Sequence, residues 1–403
     1  MTVPLDPVAQ RTALSFRVGI HNQVLFVLVA VGAMAVALSG FVSFAPNRLV
    51  SGNPIALWKA AGGLQAASIA LLGALLLAAS VVKQTKPVLC SAAVSAALLL
   101  LVVLAAAGEA ARILSLPATP ASRISLAPAF WVLVACAALA VADALQRLEA
   151  GIAARAVAAI AITSCMVLLA ALGTFDALSI AREYESRDQE FSDALMRHMT
   201  LVGASVGGAV AIGFPLGVAT AKRARFEGPV FAVLNVLQTI PSIALFGLLI
   251  VPLSVLAAAV PWLGTFGIGG VGVAPAIIAL VLYALLPAVR NTVAGLRSVD
   301  NSAIDAGRGM GMSNGQILWQ VELPLSSPIL LAGLRIVTVQ AIGLAVVAAL
   351  IGAGGLGTFV FEGLGQYAVD LVLLGALPAI FLALAADFVL QILTVTLRRR
   401  FAP

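Results

Sequence analysis

Apolar residues run along this chain in long blocks, not in the alternation that marks half-buried strands. A helix that crosses a bilayer needs roughly 20 mostly apolar residues in succession. Ten blocks meet or approach that length: Val24–Phe44, Leu64–Val82, Val88–Ala107, Ala129–Leu145, Ala156–Phe175, Thr200–Thr220, Pro229–Val251, Val273–Val289, Ile329–Ile351 and Leu371–Leu393. Barrel strands would alternate and be separated by turn residues, so these blocks predict helices. The expected fold class is all-α: a polytopic membrane protein of about ten transmembrane helices. The first block follows Arg11 and Arg17 like a secretory leader, but it is too long for one and lacks a clean small-x-small cleavage site before Arg48. It reads as a retained helix.

Composition agrees with that reading. Of 403 residues, 62% are hydrophobic and 10% charged, with a mean hydropathy of +1.11. Soluble domains carry about 25% charged residues. Cys90, Cys136 and Cys165 fall in apolar runs, and His21 and His198 stand far apart, so no metal site or disulfide framework is expected. No lysine follows a glycine, so the chain has no phosphate loop for ATP hydrolysis. Nor does it carry a recognisable catalytic set. It does not read as an enzyme, and no cofactor of its own is expected.

The basic residues are scattered between the blocks, which points to topology and membrane lipid, not to nucleic acid. With the N-terminus inside, ten crossings place Arg11, Arg17, Lys83, Lys86, Arg147, Arg155, Lys222, Arg223, Arg225, Arg290, Arg297, Arg308, Arg335 and Arg398 to Arg400 on the inner side. Arg48, Lys59, Arg112, Arg123, Arg182, Arg187 and Arg197 fall outside, a ratio of 16 to 7. Both termini are therefore expected in the cytoplasm.

The charged stretch 176–199 divides the chain. It leaves a five-helix membrane extension, 1–175, before it and five helices, 200–403, after it. Within the stretch Phe191, Leu195 and Met199 form one apolar helical stripe. It reads either as a solvated linker or as an interfacial helix on the outer side.

The longest polar stretch expected in the cytoplasm is 297–328, RSVDNSAIDAGRGMGMSNGQILWQVELPLSSP. Its spacing predicts two short helices. Ser302 is placed to cap the first, with Asp305 three residues on and near the positive end of the helix dipole. Gly307, Gly309 and Gly311 permit a bend. Ser313 and Gln316 form a capping box for the second helix. Pro324 is expected to end it, and Pro328 to sit in the first turn of the next membrane helix. Exposed Trp319 and the Met-rich bend suit a surface that another protein covers, although the loop could instead pack on its own membrane domain.

At this point the residues resemble a known family. Asp305, Ala306, Gly307, Gly311, Val321, Leu323 and Pro324 are similar, in type and spacing, to the Glu-Ala-Ala loop motif of ABC importer permeases, with Asp for Glu, Gly for the second Ala and Val for Ile. The resemblance implies that this loop is the coupling helix, which docks on a separate ATP-hydrolysing subunit. Gly213–Gly217, Gln238–Ser242 and Ile351–Gly357 resemble motifs of the glycine betaine/carnitine/choline osmoprotectant branch. The resemblance covers about 190–400. The extra N-terminal helices resemble those of Yeh-type betaine uptake permeases. Implied partners are two ABC ATPase subunits holding ATP and Mg, an extracytoplasmic solute-binding protein, and a second permease subunit, identical or similar.

Polar groups inside the blocks are candidate pathway residues. Asn235, Gln238 and Ser242 are spaced to share a helix face, with Thr239 and Pro241 beside them. They read as the lining of a translocation pathway or as interhelical hydrogen bonds. An Arg335–Asp387 pair is expected to neutralise two buried charges. Gly352, Gly354, Gly355 and Gly357 cannot hold a rigid helix; they read as a tight turn or as an external gate. Phe231, Phe246, Phe266 and Tyr283 are too scattered to form an aromatic cage for a cation, so the cage is expected on the separate binding protein. Two further functions remain: an ion-coupled secondary transporter, which would place acids near the midplane, and an ABC permease for an amino acid.

Overall fold

The computed structural model describes residues 19–401 except 49, 117, 118, 120, 266 and 267. Arg11, Arg17 and Phe266 lie outside the described residues. The chain divides into two compact units, Met1–Leu178 and Ser179–Pro403. Among the described residues nine helices are long and apolar enough to cross a membrane, with Gln23–Leu38 a shorter apolar helix.

The first unit contains α1 (Gln23–Leu38), α2 (Leu57–Ala60), α3 (Gly63–Val81), α4 (Lys86–Ser115), α5 (Pro128–Arg147) and α6 (Ile152–Ala171). Asn22 starts α1. Its side chain accepts from the Leu25 N–H at 3.0 Å and donates to Asp143 at 2.8 Å. The block read as 24–44 ends as helix at Leu38, because the chain then turns into β1 (Val42–Ala45). β1 lies between β2 (Asn53–Ile55) and β3 (Arg123–Leu126), antiparallel to both. Val42 pairs with Ile55 on one side and Leu126 on the other. The sequence reading contains no strand; three or four residues are too few to show a period of two, and the pairing joins segments far apart in the chain. The unit's interior is built from small side chains on α4 and α5, including Ala96, Ala106, Ala107, Ala110, Ala129 and Ala137, all nearly inaccessible. Such residues let helices approach closely in lipid.

The second unit contains α7 (Ser179–Ser186), α8 (Asp188–Lys222), α9 (Glu227–Thr239), α10 (Ser242–Ala259), α11 (Trp262–Thr265), α12 (Val273–Arg297), α13 (Asn301–Gly309), α14 (Asn314–Ile317), α15 (Leu323–Val347), α16 (Gly357–Gly365) and α17 (Val369–Phe401). The stretch read as a solvated linker or an interfacial helix is helical and packed: α7 packs on α17, and α8 begins at Asp188. Tyr184, Phe191 and Phe359 form a chain of ring contacts at 5.2 and 6.2 Å, and Arg187 Nη1 meets Glu362 Oε1 at 2.9 Å. Met199 is exposed and His198 is fully buried. The inward stripe of α8 therefore includes 191, 194, 195 and 198, and of the expected stripe only Met199 falls off it.

The block 229–251 is not one helix. It breaks at Ile240, which is extended (ψ 125) as the residue before Pro241 must be to avoid its ring. α8 and α12 pack closely, with side chains of α12 seated against glycines of α8. A Cβ on Gly208, Gly213 or Gly217 would come within 2.8 Å of Val281, 2.8 Å of Ala288 and 2.5 Å of Thr292, respectively. Leu201, Phe246, Leu280, Tyr283 and Ile342 fill the core beside them.

Candidate functional site

The segment 298–322 is built from local side-chain caps. α13 is capped by Asp300 and not by Ser302: the Asp300 carboxylate accepts from the Ser302 N–H at 2.9 Å. Asp300 has the extended backbone a cap requires, whereas Ser302 is already helical. That N–H holds the Asp300 carboxyl below the usual aspartate range. Asp305 is correspondingly not in a capping box. It is exposed and pairs with Arg308 one turn on, at 3.1 Å. Ala306 is exposed beside it, whereas Gly307 is buried. A Cβ at Gly307 would lie 3.3 Å from Met312 Sδ, 3.5 Å from Ile317 and 3.8 Å from Val321. Gly307 is thus where α13 touches α14 and the turn after it, and the glycine leaves the helix intact through Gly309.

The bend is a Schellman turn. The Met312 N–H bonds to the Gly307 C=O at 3.1 Å and the Gly311 N–H to the Arg308 C=O at 2.9 Å. Only Gly311, of the three glycines, takes a left-handed backbone, φ 79. Ser313 and Gln316 form the expected capping box: Gln316 N–H to Ser313 Oγ at 3.3 Å and Ser313 N–H to Gln316 Oε1 at 2.8 Å.

Beyond the box the helix does not stop. α14 passes through a π-helical turn, Leu318–Glu322, into α15. Pro324 therefore does not end it, and Pro328 lies inside α15, not at its start. The wider turn reconciles helix with proline. The Leu323 N–H bonds back five residues to Leu318, so the ladder is already shifted where Pro324 has no N–H to offer. Val321, Leu323 and Pro324 are half-buried, while Met310 (73% exposed) and Trp319 (67% exposed) stand out.

Two ion pairs flank this segment, and the sequence reading contains neither. Before it, Arg297 makes a two-pronged contact with Glu227 at 2.9 and 2.8 Å, which holds the Glu227 carboxyl below its usual range. After it, both oxygens of Glu322 accept from Lys222 Nζ, at 2.5 and 2.6 Å. Glu322 is only 3% exposed. The available signal was an acid beside an apolar membrane block, a placement that demands a partner.

The polar group at 235–242 is divided by the helix break, so Asn235, Gln238 and Ser242 do not share one face. Gln238 Nε2 donates to the Tyr283 C=O at 2.8 Å, and the Tyr283 hydroxyl donates to the Ile240 C=O left open by the break. Gln238 thus joins α9 to α12. Thr239 bonds back to the Val236 C=O at 2.7 Å, and Asn235 accepts from Arg290 at 3.4 Å. Ser242 opens α10. Arg335 and Asp387 form the expected pair through two hydrogen bonds.

The glycine run is a tight turn. After a 3₁₀ turn, Ala348–Ile351, Gly352, Gly354 and Gly355 take φ of 77, 76 and 86. Gly355 packs on His198, 3.3 Å from a Cβ position to its ring. A Cβ on Gly357, at the start of α16, would strike the Val346 C=O at 1.9 Å. Of the four aromatics, Phe246 and Tyr283 are buried in the core and Phe231 lies under Arg290 at 5.9 Å.

Residues 213–402 match the family described as binding-protein-dependent transport system inner membrane component, and 19–181 match the N-terminal domain of the ABC transporter permease YehY. The carnitine transport permease protein OpuCB of Listeria monocytogenes is 44% identical over 45% of this chain and 76% of its own length. This chain belongs to the binding-protein-dependent transport system inner membrane component family. It is an ABC importer permease subunit. The osmoprotectant import permease protein OsmW of Salmonella typhimurium is 40% identical over 50% of this chain and 88% of its own, and the choline transport system permease protein OpuBB of Bacillus subtilis is 37% identical over 48% and 82%. A solved methionine transporter, MetNI in an inward-facing conformation, aligns over 53% of this chain and 98% of its own at 21% identity and a TM-score of 0.47.

Proposed function

We propose that this permease imports a compact osmoprotectant, glycine betaine or the related choline and carnitine, by alternating access driven by a separate ATPase. The relatives named for carnitine, choline and osmoprotectant transport support the solute class. The observation that carries the mechanism is the capped helix–bend–helix at 301–322, with Asp305, Met310 and Trp319 exposed at its surface. In this reading it faces the cytoplasm and docks on one of two ATPase subunits, which bind ATP and Mg. Two permease subunits, identical or similar, form the pathway, and an extracytoplasmic binding protein delivers the solute. Both termini are cytoplasmic. A reporter active only outside the cytoplasm is silent when fused after Phe401 and active near Arg187; the reverse at either site overturns this orientation.

Asn235, Gln238, Thr239 and Ser242 border the pathway, and the turn Gly352–Gly357 serves its outer gate. The test of the function is uptake of labelled betaine by cells carrying the whole system, with choline and carnitine as competitors. Uptake disappears when the binding protein is deleted, and Gln238→Leu lowers the rate more than the apparent affinity. Tight betaine binding by the permease alone, or transport confined to an amino acid or a sugar, overturns the assignment.

A further inference from the structure

Glu322 occupies the variable position between Val321 and Leu323, so the loop motif itself gives it no part. Yet it is a carboxylate almost wholly withdrawn from solvent. Burying a charge in apolar surroundings is strongly unfavourable unless a partner of opposite sign is held against it. That partner comes from 100 residues earlier in the chain: Lys222, the last residue of α8, at 2.5 and 2.6 Å.

The backbone places Glu322 there. In an α-helix, residues five apart point well away from each other. The π-helical turn Leu318–Glu322 adds a residue to one turn and brings Ile317 and Glu322 inward together; both are buried. Ile317 in turn lies against the Gly307 contact between α13 and α14. One face of the exposed helix–bend–helix is thus tied through a single turn to the end of α8. From there α8 packs closely on α12, whose side chains lie against Gly217, Gly213 and Gly208. The other flanking pair, Arg297–Glu227, is close to half exposed on both sides, and water screens it.

We propose that Glu322 is a positioning residue for coupling: through Lys222 it ties the segment that meets the ATPase to the first core helix, so that displacement of the coupling helix moves α8. This rests on the docking reading above. The experiment uses the full complex in proteoliposomes supplied with binding protein, and reads solute taken up per ATP hydrolysed. Glu322→Gln and Lys222→Met each lower that ratio by about tenfold, with the ATPase still co-purifying. The reversed pair, Lys222→Glu with Glu322→Lys, returns it to within about threefold of the parent. Glu227→Gln changes it by less than about twofold. An unchanged ratio in Glu322→Gln overturns the proposal, as does a reversed pair no better than the single variants. If neither single variant inserts, the reversed pair decides: coupled transport supports the linkage and its failure overturns it. A parent complex that holds no ATPase overturns the docking reading and this inference with it. A coupling parent beside an equally coupling Glu322→Gln overturns this inference alone.

Discussion

α15 is reached through a turn held by side chains and left through a turn held by backbone. At its beginning Ser313, Gln316 and Glu322 fix the chain with a capping box and a buried ion pair. At its end Gly352, Gly354 and Gly355 take left-handed conformations, and Gly355 and Gly357 lie where a side chain would meet His198 or the Val346 carbonyl. Side-chain caps tolerate exchange and cost little when lost, whereas a backbone contact closer than a Cβ cannot be relieved by a rotamer. The two ends should therefore fail differently: the glycine end through folding, the capped end through coupling.

The largest effect is expected at the glycine end. Gly357→Ala forces its Cβ against the Val346 C=O and should destabilise the permease by about 3 kcal/mol. Thermal unfolding in detergent reads this; an unchanged midpoint would mean that this turn yields easily and that the contrast between the two ends is false. Next comes Asp305→Lys. The side chain is exposed and its pair with Arg308 contributes at most about 1 kcal/mol, so the midpoint should hold. Solute-dependent ATP hydrolysis should nevertheless fall by about tenfold, through charge reversal at a protein contact. Normal hydrolysis at normal expression would separate this surface from coupling. Ser313→Ala removes one cap and should weaken the start of α14 by about 1 kcal/mol, read as faster amide exchange at Gly315 and Gln316.

The smallest effect is a pH dependence. The carboxyl of Asp300 is held below its ordinary value, so its cap is fully present above the unfolded value, about 3.9, and is lost as pH falls through the lower folded value. The amide of Ser302 should lose protection only below about pH 4, and Asp300→Asn, whose side-chain oxygen still accepts, should abolish that dependence. Loss of protection near neutral pH would show that another group caps α13.

Much of the site was legible. A cap and its box are written within four residues, so Ser313–Gln316 could be read directly. The position of Asp300 was missed by two residues because Asp300 and Ser302 are both good caps in sequence, and only backbone geometry selects between them. Pro324 was misread as a stop because the rule assumes an α-helical ladder, and the π-helical turn relaxes it.

By itself the sequence determined the membrane character, the approximate place of most of the long helices, the local turns at Gly311 and Gly352–Gly355, and the motif that marks the exposed segment. Each depends on neighbours within a few residues, where periodicity and conformational preference act. The tertiary structure decided the rest. It closed a three-stranded sheet from segments far apart in the chain and joined Glu322 to Lys222. Those outcomes are pairings across long sequence separations. A buried carboxylate announces that it needs a cation, but many cations in the chain could satisfy it, and only the packing of α8 beside α15 selects Lys222.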